Sequence, residues 1–236
     1  VGAAALTQAT QTGVTAVEKI SFIGTTATAS NWTLADATFV TTSLATVRGI
    51  VDASAMTGSG VLTFVGSAED DSAVTLTGGR GNDILTGTST ATAADIISGG
   101  AGNDTLDGDA GIDNISGGEG NDIIAVNING DFIGLTSAET VDGGSGTDTL
   151  YFNDDTSSVT IAAADLANMS GIEIISLAGN DATSITLSDS VFTSNGSSSL
   201  RITRDDDTVV NFTGRAGGLS AANSLDVRPA DGGSST

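Results

Sequence analysis

Carboxylates recur in this chain at a spacing that could hold cations. Residues 99–125 read GGAGNDTLD, GDAGIDNIS, GGEGNDIIA: one nine-residue phrase three times over. Each copy has an Asp at its sixth position (Asp104, Asp113, Asp122) and an aliphatic residue at its eighth (Leu106, Ile115, Ile124). An upstream copy runs from Gly78 to Thr86 and carries Asp83, and a copy stretched by three residues follows it and ends in Asp95-Ile96-Ile97-Ser98. Downstream, after a longer detour, Glu139 fills the acidic slot of Ala138-Glu139-Thr140-Val141-Asp142. Gly143 to Tyr151 then closes the series with Asp148.

Each position has a physical reading. Glycines let the backbone take positive φ and turn tightly, which residues with a Cβ resist. The ending around the aliphatic residue reads as a very short strand with one side chain inward. A turn plus a short strand is half a coil, so two phrases, 18 residues, complete one coil of a parallel roll, and phrases two apart stack. One edge would carry Asp83, Asp104, Asp122 and Asp148; the other would carry Asp95, Asp113 and Glu139. Carboxylates stacked one strand spacing apart, ~4.8 Å, repel unless a cation lies between them. Carboxylate and turn carbonyl oxygens together suit Ca²⁺, whereas Mg²⁺ demands a tighter octahedron and keeps more water. Counting three gaps on one edge and two on the other gives about five ions, which would bring the net charge from −22 to about −12. Each ordered glycine costs roughly 0.5–1 kcal/mol relative to Ala. The small aliphatic core does not offset that alone, so folding is expected to depend on the ion.

These residues resemble the RTX (repeats-in-toxin, hemolysin-type) family, whose calcium-binding repeat has the pattern G-G-x-G-(N/D)-D-x-U-x. The resemblance covers residues 78–151. It implies an all-β fold, a parallel β-roll or β-solenoid with Ca²⁺ held in the turns. It also implies ligands at Asp83, Asp104, Asp113, Asp122 and Asp148, helped by turn carbonyls at Gly78, Gly99, Gly108 and Gly117. Neighbouring turn glycines (Gly81, Gly102, Gly111, Gly120, Gly143) join that set, as do Asp95 and Glu139, each beside an insertion. Asp109 departs from the pattern by replacing the second glycine of its copy.

The rest of the composition narrows the class of function. The chain has 29 acidic and 7 basic residues, a net charge of −22, so no nucleic-acid partner is expected. No apolar run is long enough for a membrane-spanning helix. Cys and His are both absent, which removes disulfides, thiolate nucleophiles, imidazole bases and the usual zinc ligands. No G-x-S-x-G occurs, and the obvious carboxylates belong to the stacked columns, so no enzyme activity is expected.

Acidic residues also divide the chain: 17 of the 29 lie in residues 66–155, with Arg80 the only base there. Residues 1–65 and 156–228 are rich in Thr, Ser and small aliphatics and read as β-solenoid units, with residues 229–236 as a linker-like tail. The two units look duplicated: residues 17–24 (VEKISFIG) align with 172–179 (IEIISLAG), and 32–39 with 185–192. Short strands are expected around Ile20, Val61–Phe64, Leu150–Phe152 and Val209–Phe212, and at most one helical turn within Ala162–Met169. Trp32, Phe39, Phe152 and Phe192 read as core, and Asp205–Asp207 as a solvated turn. Val1 opens without a leader pattern, and the chain reads as a piece of a longer protein.

With these flanks the resemblance is strongest to RTX surface-layer (S-layer) proteins. It implies a secreted, extracellular structural protein of the cell surface, exported by type I secretion and folded and assembled by Ca²⁺. The implied partners are calcium, further copies in a lattice or filament, and lipopolysaccharide or another surface glycan reached through other parts of the protein. An RTX adhesin segment, or an accessory module of a secreted carbohydrate-active enzyme, is the alternative.

Overall fold

The computed structural model describes residues 19–21, 30–33, 49–67, 73–89, 94–127, 139–153, 160–177, 184–188, 191–192, 199–204, 209–212 and 224–229. Within them the chain is all-β, and every strand pairing is parallel. A seven-stranded sheet holds β1 (Lys19–Ser21), β3 (Gly49–Asp52), β5 (Val74–Thr77), β7 (Ile96–Ala101), β9 (Asn114–Glu119), β11 (Thr140–Ser145) and β14 (Met169–Ser170). A nine-stranded sheet holds β2 (Ser30–Thr33), β4 (Leu62–Gly66), β6 (Ile84–Thr88), β8 (Thr105–Asp107) and β10 (Ile123–Asn127). It continues through β12 (Thr149–Asn153), β15 (Ile174–Leu177), β17 (Ser199–Arg204) and β19 (Ser224–Pro229). A third sheet of β13 (Thr160–Ile161), β16 (Ser184–Leu187) and β18 (Val209–Phe212) completes the fold.

From β1 to β12 the strands alternate between the two large sheets, so each strand pairs with the one two places along the chain. This is the winding of a β-solenoid, in which each coil buries its inward face on its neighbours. The inward aliphatics form two columns in register. One runs Phe64, Leu85, Leu106, Ile124, Leu150, Ile175, Ile202; the other runs Val51, Leu76, Ile97, Ile115, Val141, Met169. All are buried. Each contributes roughly 1.5–3 kcal/mol by leaving water, and Ile115→Ala, for example, would cost about 2–5 kcal/mol.

The sheets do not stop where the composition changes. β4 crosses residues 65–66, and β12, inside the acidic block, pairs with β15 beyond it. The aligned flanking segments lie on strands of different sheets: β1 belongs to the seven-stranded sheet and β15 to the nine-stranded one, while β2 and β16 also part company. Strand propensity fixes that these segments are strands; the winding of the coil decides which face receives them. The short helical element is a single 3₁₀ turn, Ala163–Leu166. Phe152 and Phe192 are buried in the core. The side chain of Trp32, together with Phe39 and Asp205–Asp207, lies outside the described residues.

Candidate metal centres

The sixth position of each phrase sits at the last residue of a turn, just before a strand, so the strand register stacks these residues coil upon coil. On the first edge each acid binds the backbone of the coil before it. Oδ1 of Asp83 accepts the Leu62 N–H (2.6 Å), Asp104 accepts that of Asp83 (2.7 Å), Asp122 that of Asp104 (2.8 Å) and Asp148 that of Asp122 (2.8 Å). The column does not end there. The Asp148 N–H donates to Oε2 of Glu173 (3.0 Å), which occupies the acidic slot of the next coil. Asp104 and Asp122 are 18 residues apart, as two intact phrases require, while Asp83 and Asp104 are 21 apart because of the three-residue stretch between them. On the second edge Val74 N–H donates to Asp95 Oδ1 (2.7 Å) and Asp95 N–H to Asp113 Oδ1 (2.8 Å). Thr140 N–H reaches the Asp113 carbonyl (3.0 Å), setting Glu139 in the coil after Asp113.

The second carboxylate oxygen separates these acids into two groups. Oδ2 of Asp83 accepts the Gly79 N–H (2.7 Å), and Oδ2 of Asp95 accepts the Thr88 N–H (2.7 Å) and hydroxyl (3.1 Å). Oδ2 of Asp104, Asp122 and Asp148 is buried with no hydrogen-bond partner. The cause is the backbone at the second position of the phrase. Gly100, Gly118 and Gly144 take φ of +106°, +112° and +96°, and no hydrogen bond joins their N–H to the acid of their own turn. Gly79 and Thr88 do not take this conformation, and their N–H groups reach the acid. An unsatisfied buried carboxylate oxygen costs several times a lost neutral hydrogen bond, so a cation is the natural complement.

First-position glycines supply the other half of the cradle. Beside Gly99 the Asp104 Oδ2 and the Gly117 carbonyl converge on the place a Cβ would occupy. The same pair of oxygens meets beside Gly78 (Asp83, Gly99), Gly117 (Asp122, Gly143) and Gly143 (Asp148, Gly171), and on the second edge beside Gly87 (Asp95, Gly108). Beside Gly108 lies Asp113 Oδ2. Gly81, Gly102, Gly111 and Gly120 hold the fourth position, and the last three take positive φ. Among the described residues no three acidic side chains converge on one point. The donors are instead one or two carboxylates per coil plus backbone carbonyls, an all-oxygen set that fits a hard cation of Ca²⁺ size.

Burial drives the electrostatics. It pushes the Asp104 carboxyl up to about 7 against the pull of its bond from the Asp83 N–H, and the charges of Asp83 and Asp122 add to the rise. Asp113 rises to about 8, first through burial and then through Asp95, Glu139 and Asp107. Asp148 rises to about 6, through burial and then Asp122, Glu173 and Asp142. Asp83, Asp107 and Asp122 move upward by burial as well. A divalent ion reverses this, since it favours the ionised carboxylate.

Two features escaped the reading of the phrase. An asparagine ladder flanks the first edge: Oδ1 of Asn82, Asn103 and Asn121 accept the N–H of Asn103, Asn121 and Thr147 (2.9, 2.8 and 2.8 Å). The fifth-position recurrence of Asn is visible in the sequence, but its bonding follows only from the coil stacking. The other is Glu173. Glu173-Ile174-Ile175-Ser176 repeats the pattern of Asp95-Ile96-Ile97-Ser98, yet one residue separates it from Gly171 where the intact phrase has four.

Parallel coils whose stacked turns present carboxylates and carbonyls define a β-roll suited to divalent cations. Comparison with protein families agrees: the RTX calcium-binding nonapeptide repeat (4 copies) matches residues 63–91, 89–124 and 129–156. This part of the chain therefore carries RTX calcium-binding repeats, within an all-β parallel solenoid that extends beyond them on both sides. No curated protein and no solved structure matches the chain.

Proposed function

We propose that this chain is a calcium-set structural segment of a secreted surface protein, of the S-layer type, whose roll folds and whose copies assemble when extracellular Ca²⁺ fills the stacked turns. The observation that carries the calcium half is the row of three buried, unpartnered oxygens on Asp104, Asp122 and Asp148, each facing a glycine carbonyl of the following coil. The ligand set comprises the acids of both columns (Asp83, Asp95, Asp104, Asp113, Asp122, Glu139, Asp148) and carbonyls from the turn glycines, for about five ions. The reading assigns no catalytic residue.

The structural half draws on the continuity of the sheets. Strands on either side of the acidic block, β1 to β4 before it and β14, β15, β17 and β19 after it, add coils to the same stack, so the roll serves as a rigid joint within a longer solenoid. Dependence on calcium would keep that joint unfolded inside the cell, where free Ca²⁺ is scarce, and extracellular calcium would set it after type I export. Electron microscopy of the pure chain tests the assembly. Ordered sheets or filaments that appear with Ca²⁺ and dissolve with EDTA are expected. Monomers at saturating Ca²⁺ that bind polysaccharide would overturn it in favour of an accessory module of a carbohydrate-active enzyme.

A further inference from the structure

Resting on the calcium reading, we propose that the cation column of the first edge extends one coil past the RTX-matched residues, with Glu173 and Gly171 closing an additional Ca²⁺ site on Asp148. The family match ends at residue 156, and spacing alone puts the last first-edge gap between Asp122 and Asp148. Three separate contacts carry the column further. Glu173 accepts the Asp148 N–H through Oε2, the bond that every earlier acid of this edge makes to the coil before it. Gly171 continues the first-position glycines, with its carbonyl beside Gly143 as the Gly143 carbonyl is beside Gly117. Asp148 is 0% exposed, and its Oδ2 faces that same notch without a hydrogen bond.

The local sequence explains the use of Glu. Gly171 and Glu173 enclose one residue where an intact turn has four, so the coil loses the carbonyls of a full loop. A Glu is one methylene longer than an Asp and carries its carboxylate across that gap. Glu173 also borders a cleft of about 250 Å³ lined by Thr147, Ile174, Ser199, Arg201 and Asp226. Across the cleft Asp226 is held by Arg201 (3.3 Å) and Arg228 (2.7 Å), so it is committed to cations of the protein itself.

The beginning of the column mirrors this. Asp83 has both oxygens bonded to N–H groups, whereas Asp104, Asp122 and Asp148 each keep one free. The strongest sites of this edge therefore lie one coil later than spacing places them.

Calcium stoichiometry measured on the whole chain by equilibrium dialysis and isothermal titration tests this. Glu173→Gln is expected to bind one Ca²⁺ fewer than the wild type, with its circular dichroism at saturating Ca²⁺ unchanged. Glu173→Asp keeps the carboxylate and is expected to retain the ion with affinity reduced on the order of 10-fold or more. Asp226→Asn is expected to leave the count intact. Wild-type stoichiometry and affinity in Glu173→Gln, or loss of the ion in Asp226→Asn, would overturn the site. Should Glu173→Gln misfold, an undiminished affinity in Glu173→Asp overturns it. A wild type that binds no Ca²⁺ would instead remove the calcium reading on which the site rests.

Discussion

On the first edge of the roll Asp104, Asp122 and Asp148 each keep a buried oxygen without a hydrogen bond, while on the second edge Asp95 gives both of its oxygens to backbone N–H groups. The first edge also carries an asparagine ladder, whereas Ile112 stands at the fifth position of the second-edge turn and is 48% exposed. Both edges use the same phrase. The difference between these acids follows the second residue of each turn: Gly100, Gly118 and Gly144 take positive φ and make no hydrogen bond to the Oδ2 of their acid, whereas Thr88 donates its N–H to Asp95. One backbone dihedral thus decides whether a stacked carboxylate is satisfied by the protein or left for a cation.

That contrast breaks most visibly on substitution of the two acids. Asp122→Asn removes charge from the middle of the first column and is expected to reduce the calcium dependence of the thermal midpoint. The loss is about 2.7 kcal/mol for each vacated site at a free-ion level of 100 Kd. Asp95→Asn leaves the Thr88 N–H facing an amide instead of a carboxylate and is expected to cost about 1–3 kcal/mol even without Ca²⁺, with a smaller calcium-dependent loss than Asp122→Asn. Midpoints measured across a calcium titration separate the two, and parallel curves for both variants would erase the distinction between the edges.

Acidity tests both edges together. Asp104, Asp113 and Asp148 have folded values of about 7, 8 and 6, above the 3.8 of a free Asp. Groups raised in this way make the metal-free fold bind more protons than the unfolded chain. Their contribution is complete below about 3.8 and is lost as pH rises through 6 to 8. In EDTA the thermal midpoint is therefore expected to be higher at pH 4.5 than at pH 8.5. With Ca²⁺ the direction reverses, because protons compete with the ion. A metal-free midpoint that climbs with pH would contradict the burial of these carboxyls.

Smaller effects sharpen the role of the second residue. Gly118→Ala places a Cβ at φ +112° against the Gly100 carbonyl and is expected to destabilise by roughly 1–3 kcal/mol. Asp109, the only non-glycine with positive φ among the described residues (φ +61°), occupies the same position on the second edge. Asp109→Gly is expected to change stability least, by about 1 kcal/mol or less in the stabilising direction, read from urea midpoints.

Much of this was legible in the chain because the phrase is periodic in both of its functions. The eighth-position aliphatics give the core columns, and the sixth-position acids give the stacked carboxylate columns, so counting by nines places both. What periodicity could not show is conformation within the turn. Gly79 and Gly100 are the same residue at the same position, yet one donates to its acid and the other does not. Nor could it follow the column into Glu173, where the turn is shortened and the motif no longer matches although the register persists. The aligned flanks taught the opposite lesson: similar strands, here β1 and β15, can be wound onto different sheets.

The central claim is that calcium binding stabilises the closed, stacked turns. Far-ultraviolet circular dichroism of the whole chain, first stripped with EDTA and then titrated with Ca²⁺, tests it most directly. A β-type signal that is reduced after chelation and returns saturably with Ca²⁺, but not with equal Mg²⁺, is the predicted result. A spectrum that chelation and calcium leave unchanged would contradict it.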